Sequence, residues 1–215
     1  MATDAAALKA RLKSAGEKMP DPTRVRIHRA ISWLKRAEAE AGDHDARFIF
    51  LWIGFNAAYA QEFGFEHEER ELLRGFLQKL LAVDADKVLH GLLFKKFTGS
   101  VRLLIDNKFV FEPFWRALRD HDASERWKRK FDDDRAAAMK AVTGTDTVTV
   151  LGVVFDRLYV LRNQLVHGGA TWNGKVNRAQ VKDGAELLHS LLPVILELML
   201  DHPELEWGGI SYPVV

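Results

Sequence analysis

The chain has 215 residues, of which 47% are hydrophobic and 28% are charged, and its formal net charge is +1. This length and composition are typical of one folded domain and exclude a disordered chain. The near-neutral charge excludes a strong overall basic field, so any RNA contact must come from a local patch. The absence of cysteine excludes disulfides, thiolate metal sites and cysteine nucleophiles.

Apolar residues at helical spacing predict an all-α chain, with five helices in its first half. We expect these helices at residues 4–18, 23–41, 45–63, 66–81 and 84–97. The first belongs to a peripheral segment, 1–20, and Asp21 or Thr23 is expected to cap the second. The third is apolar nearly all round, which is typical of a helix buried on several sides.

The middle of the chain, residues 98–144, is less periodic. Aromatic side chains cluster there around Pro113, and a strongly charged stretch follows. An alanine-rich helix is expected near 132–142. We interpret the whole stretch as an inserted helical segment in a single domain that spans 1–215.

A long helix is predicted from about 147 to 167 because apolar residues recur there with the helical period. Asp146 or Thr147 can cap its start, and Gly168 and Gly169 are expected to stop it.

After a turn, the last long helix is predicted over 178–200, with a kink near Pro193, followed by a tail, 201–215, with little helical pattern. The sequence contains no glycine-rich phosphate loop and no alternation typical of a sheet.

The segment Leu158 to Gly169 combines an Arg, an Asn and a His at the end of the long helix. Asn163 and His167 share a helix face, while Arg162 and His167 are separated by about 140° around the helix axis, which a long Arg side chain can span. His167 is expected in the last turn, where the negative end of the helix dipole attracts positive charge. An Arg can bind a phosphate in bidentate fashion, and a His beside it can transfer a proton. Together the two side chains can support metal-independent cleavage of RNA. The same residues can also be simple dipole partners and C-cap residues.

The segment Leu161-Arg-Asn-Gln-Leu-Val-His-Gly168, in a helical chain that also contains Trp52…Phe55-Asn56-Ala-Ala-Tyr59, resembles the HEPN superfamily (higher eukaryotes and prokaryotes nucleotide-binding domain). The signature is an Arg, a polar residue directly after it and a His about five residues past the Arg, which here are Arg162, Asn163 and His167. The resemblance covers mainly residues 23–63 and 147–200. It implies a helical bundle with a core of four to five long helices.

The resemblance also implies a function and partners. Many members are metal-independent endoribonucleases with toxin, defence or RNA-processing roles, and they act as homodimers in which two motif helices line one RNA cleft. It therefore implies RNA as the substrate, a possible cognate antitoxin and no cofactor. In one subgroup a Tyr lies two residues after the His, where this chain has Gly169. Other members have lost activity, so a catalytically inactive nucleotide- or RNA-binding or dimerisation module is the alternative.

The resemblance also implies a mechanism for RNA cleavage, in which the catalytic residues are Arg162, Asn163 and His167. His167 acts on the attacking 2′-hydroxyl or on the leaving 5′-oxygen. Arg162 stabilises the pentacoordinate phosphate, and Asn163 orients the His or the phosphate.

Five other side chains are candidates for substrate binding. Asn56 and Tyr59 share a face of the third helix and either form internal hydrogen bonds or line the cleft. Trp172 can stack on a base, while Lys175 and Arg178 can contact phosphate.

Metal ligation and membrane insertion are not expected. The histidines lack the spacing of metal-binding helices, so we predict no metal site. The sequence shows no signal peptide and no apolar run of about 20 residues, so we predict a cytoplasmic protein without membrane contact.

Overall fold

The computed structural model describes residues 3–15, 19–59, 66–210 and 212, with only the backbone described for 66–70. These residues form ten α-helices and contain no β-strand, which confirms the all-α prediction. The helices are α1 (Ala5–Ala15), α2 (Asp21–Glu38), α3 (His44–Tyr59), α4 (Glu66–Val83), α5 (Val88–Gly91), α6 (Thr98–Asp106), α7 (Glu112–Arg119), α8 (Arg126–Thr143), α9 (Thr147–Val166) and α10 (Arg178–Asp201).

The chain divides into two compact units, each a bundle of helices. The first unit comprises Met1–Leu89 and Ala185–Val215, and the second comprises His90–Gly184. The interpretation of 98–144 as an insertion in one domain stays a prediction. That segment lies in the second unit, together with α9. Within the described ranges, no helix is both long enough and apolar enough to cross a bilayer.

In the first unit, α2 and α3 approach each other closely at Gly54. A Cβ added to this glycine would lie 2.9 Å from Leu192 Cδ2 and 3.3 Å from the Ala30 carbonyl oxygen. The buried positions of α3 include Phe48 and Phe55, and they lie on more than one side of the helix, as its apolar sequence predicts. This helix therefore belongs to the core of the first unit.

Among its described residues, 202–210 and 212, the tail is not helical, as predicted, yet it contributes to the core of the first unit. Trp207 is only 2% exposed; its Nε1 donates to the His202 carbonyl oxygen at 3.0 Å, and its ring lies 5.8 Å from that of Phe76. The buried Arg26 of α2 donates to the carbonyl oxygens of Ala58, Gly208 and Gly209. Burial, reinforced by the charge of Arg29, lowers the pKa of Arg26 to about 10.

Three local predictions are wrong. α2 begins after Pro20, and no side chain caps it, because Asp21 lies inside the helix and pairs with Arg24 at 2.6 Å. The helix expected over 84–97 is the short α5 followed by a π-helical turn, Leu92–Lys96, in which Phe97 N donates to the Leu92 carbonyl oxygen at 2.8 Å. The alanine-rich helix begins at Arg126, six residues earlier than expected.

Candidate functional site

The motif lies on α9. Of the two residues predicted to cap the start of this helix, Asp146 and Thr147, the structure shows Asp146 as the cap. The side chain of Asp146 accepts hydrogen bonds from Thr149 N at 3.1 Å and Thr149 Oγ1 at 2.7 Å. The bonds from the Thr149 side chain and then from its backbone amide stabilise the carboxylate and lower the pKa of Asp146. This cap, with buried Val150 and Val154, offsets the low helix propensity of the β-branched start.

The C-terminal end of α9 places His167 at the surface. The helix ends at Val166, and His167 is the C-cap residue, whose amide donates to the Asn163 carbonyl oxygen at 3.0 Å. Gly168 follows with φ +71°, a left-handed conformation that glycine adopts without steric cost. The predicted glycine stop is confirmed, and the His167 side chain is exposed.

The structure brings together two of the three motif side chains. Arg162 Nη1 donates to Asn163 Oδ1 at 2.8 Å, and the guanidinium carbon lies 5.8 Å from the centre of the Tyr159 ring. Both motif side chains are half-buried. Among the described residues, no hydrogen bond joins the His167 side chain to either of them. The Arg162 guanidinium is thus oriented by its neighbour Asn163 rather than by His167.

A hydrogen-bond network, which sequence reasoning missed, anchors the motif end of α9 within the second unit. Gln164 Nε2 donates to the Phe109 carbonyl oxygen at 2.7 Å, and Asn177 Nδ2 donates to Gln164 Oε1 at 2.9 Å. Trp115 Nε1 also donates to the Phe109 carbonyl oxygen, at 2.8 Å. Gln164 therefore connects α9 to two segments outside the helix, and no local sequence pattern predicts these contacts.

The predicted turn before α10 presents Trp172 and Lys175 to solvent. Trp172 is 73% exposed, and Lys175 is also exposed. Gly174 N donates to the Thr171 carbonyl oxygen at 2.9 Å, and this turn is tight because a Cβ at Gly174 would also lie 2.9 Å from that oxygen. Arg178 is half-buried, and its Nη1 donates to Asn173 Oδ1 at 3.3 Å.

Asn56 and Tyr59 lie in the first unit, on α3. Tyr59 is 3% exposed and packs against Phe55, with ring centres 4.8 Å apart, and against Phe76. Asn56 is half-buried, and its Oδ1 has no hydrogen-bond partner in the described part of the chain. Their role in substrate binding stays a prediction.

Arg157, five residues before Arg162, is a buried cation that sequence reasoning did not single out. Its guanidinium carbon lies 4.5 Å from the centre of the Phe111 ring and 5.8 Å from that of Phe131. Burial lowers the pKa of Arg157, against the opposing effect of Asp134 and Asp156. Arg157 holds α9 to the aromatic residues of the second unit and is not available to a ligand.

The second unit, which carries the motif, is basic. It has 17 Lys and Arg against 11 Asp and Glu, a net charge of +6, whereas the first unit has 14 against 19, a net charge of −5. The near-neutral total therefore conceals a basic unit. The unit that carries the motif thus has the positive charge that a contact with RNA requires, although the whole chain is nearly neutral.

The described residues contain no group of three or more His, Cys, Asp or Glu side chains that could hold a metal ion. Comparison of the chain with models of protein families, with curated proteins and with solved structures finds no match.

Proposed function

We propose that the protein is a HEPN-like, metal-independent endoribonuclease that acts as a homodimer, with Arg162, Asn163 and His167 of both protomers at one site. The observation that carries this proposal is the Arg162–Asn163 hydrogen bond of 2.8 Å at the end of α9. It uses one of the five guanidinium N–H donors and orients the others, which can then bind a phosphate in bidentate fashion.

The chemistry follows from these three side chains. The 2′-hydroxyl of RNA attacks the adjacent phosphorus, a P–O2′ bond forms, and the P–O5′ bond breaks. His167 of one protomer accepts the 2′-hydroxyl proton, and its equivalent in the other protomer protonates the 5′-oxygen. Arg162 stabilises the charge of the pentacoordinate phosphate. The products are a 2′,3′-cyclic phosphate and a 5′-hydroxyl.

Exposed apolar side chains close in sequence to the motif support a dimer. Val166 is 50% exposed and Val176 is 72% exposed, and both belong to the second unit. Homodimer interfaces are more apolar than the rest of a protein surface, and these two side chains would contribute to such an interface. The exposed Trp172 and Lys175 would bind RNA by stacking and by phosphate contact.

The test is cleavage of a single-stranded RNA in the presence of EDTA by the wild type, His167→Ala and Arg162→Ala. We expect EDTA-resistant cleavage that falls by about 10²-fold or more in both variants, because each loses a group that acts in the transition state. His28→Ala is the matched control, since His28 is an exposed helical histidine of the first unit. The product ends are identified by mass spectrometry.

Cleavage that persists in His167→Ala, or no cleavage by the wild type, would overturn the nuclease proposal. If the wild type binds RNA or dimerises without cleaving, and Arg162→Ala loses that binding, the protein is the catalytically inactive RNA-binding or dimerisation module instead. Sedimentation velocity over a range of concentrations measures the dimer independently of activity.

A further inference from the structure

The first unit contains an open groove of about 1210 Å³ between α1 and α2. Its α1 wall is formed by Ala6, Lys9, Ala10 and Lys13, which follow one another at the spacing of a single helix face. Leu12 and Met19 form an apolar floor. Val25 of α2 and Ile210 of the tail complete the apolar lining. The groove therefore has apolar side chains on both of its walls.

The rim of the groove is basic, although the unit around it is acidic. Lys9 and Lys13 lie on the α1 wall, and His28 and Arg29 lie on the α2 wall. Asp21, the one acidic residue of the described lining, is already paired with Arg24 at 2.6 Å. Within the described part of the chain, Lys9 and Lys13 have no ion-pair partner. The local charge is thus opposite to the net charge of −5 of the first unit.

The positions of these cations indicate the kind of occupant. Lys9 and Lys13 are about 6 Å apart along the axis of α1, and the guanidinium groups of Arg24 and Arg29 belong to the opposite wall. A ligand with a single carboxylate could form ion pairs at only one end of the groove. An elongated ligand with several carboxylates could form ion pairs with the cations of both walls. The described lining contains no Phe, Tyr or Trp, so the groove lacks the large ring surfaces on which bases stack in single-stranded RNA sites.

We propose that this groove binds an acidic amphipathic helix of a partner protein. The apolar face of that helix packs on Leu12, Met19 and Val25, and its flanking Glu or Asp side chains pair with Lys9 and Lys13. Helix-in-groove recognition uses this combination of an apolar stripe with charged margins. The proposal does not depend on the nuclease activity of the second unit.

The probe is a fluorescein-labelled helical peptide of about 14 residues, with Leu at positions i, i+3, i+4 and i+7 and Glu at the flanking positions. A second peptide carries Lys in place of every Glu. We expect the full chain to bind the Glu peptide in fluorescence anisotropy, and to bind the Lys peptide about tenfold more weakly or less, because the rim repels it.

Two pairs of variants locate the binding. Ala10→Trp fills the groove and should abolish binding, whereas Ala7→Trp, at an exposed position of α1 outside the groove, should not. The double variant Lys9→Glu/Lys13→Glu should weaken binding about tenfold or more. Lys35→Glu/Lys87→Glu makes the same change in net charge at exposed residues outside the groove and should leave binding unchanged. Circular dichroism verifies that each variant is folded.

Three outcomes would overturn the proposal: equal binding of the Glu and Lys peptides, binding of the Glu peptide that Ala10→Trp leaves intact, or no binding of the Glu peptide at all. Laurate and a single-stranded RNA oligonucleotide serve as competing probes. Preferential binding of either one, lost in Ala10→Trp, would assign the groove to that ligand instead of to a peptide helix.

Discussion

Arg157 and Arg162 lie five residues apart on α9, yet their guanidinium groups have opposite surroundings. Arg157 is enclosed by the rings of Phe111 and Phe131, and burial lowers its pKa. Arg162 is half-buried and is oriented by the side chain next to it. The motif pattern distinguishes Arg162 in the sequence, but only the folded unit shows that Arg157 is a structural cation. The difference matters because only Arg162 can reach a ligand.

Substitution by Ala should change the free energy of unfolding in opposite directions at Gly152, within α9, and at Gly168, just after its end. Gly168→Ala forces a Cβ into the conformation with φ +71° and should lower the free energy of unfolding by about 1 kcal/mol. Gly152→Ala should raise it by about 0.5–1 kcal/mol, because the added Cβ meets no atom within 4 Å in the middle of the helix. Urea denaturation followed by circular dichroism measures both. Equal effects of the two variants would contradict the left-handed cap at Gly168.

At the level of the element, α9 depends on a cap at its start because its first residues are poor helix formers. The Asp146 side chain supplies that cap, and Thr149 bonds hold its carboxylate ionised. By contrast, the helical period of 84–97 predicts one helix where the chain forms the short α5 and a π-helical turn. An apolar pattern at spacings of three and four does not distinguish hydrogen bonds to the fourth residue from those to the fifth.

Asp146→Ala should lower the free energy of unfolding by about 1 kcal/mol at neutral pH, because the first turn of α9 loses its acceptor. The folded-state pKa of Asp146 is below its ordinary value. Its ionisation therefore contributes stability above the unfolded pKa of about 3.9, and that contribution is lost as the pH falls through the lower folded pKa. The gap between wild type and Asp146→Ala should shrink below about pH 4.

Urea denaturation between pH 7 and pH 3 measures this gap. Asp146→Asn is the control, since its side chain can still accept a hydrogen bond but does not titrate in that range. Its stability relative to Asp146→Ala should not depend on pH. A wild-type advantage that stays constant down to pH 3 would exclude an ionised Asp146 cap.

For the whole molecule, the distribution of charge is more informative than its total. A formal net charge of +1 arises from a first unit with a net charge of −5 and a second unit with +6. The total composition indicates a nearly neutral protein, whereas the first unit is acidic and the second unit is basic. Under the proposed function, the basic second unit attracts RNA. The basic groove is a separate proposed site within the acidic first unit.

Charge reversal in the second unit should weaken RNA binding more than the same change in the first unit. Arg129→Glu changes an exposed residue of α8, and Lys35→Glu changes an exposed residue of α2. We expect Arg129→Glu to lower the affinity for a single-stranded oligonucleotide and to reduce the slope of log affinity against log salt by about 1, since one phosphate contact is lost. Filter binding at several salt concentrations measures both. Equal losses in the two variants would contradict RNA binding by the second unit.

The sequence by itself determined the all-α class, the bounds of α9 and the glycine stop after His167. Helical period, capping side chains and backbone preferences act between residues that are at most a few positions apart, so the sequence displays them directly. Only the tertiary structure decided that Phe111 and Phe131 enclose Arg157, that Gln164 bonds to Phe109 and Asn177, and that α1 and α2 leave a basic groove. These contacts join residues of different helices and segments, and they form only when packing brings those elements together.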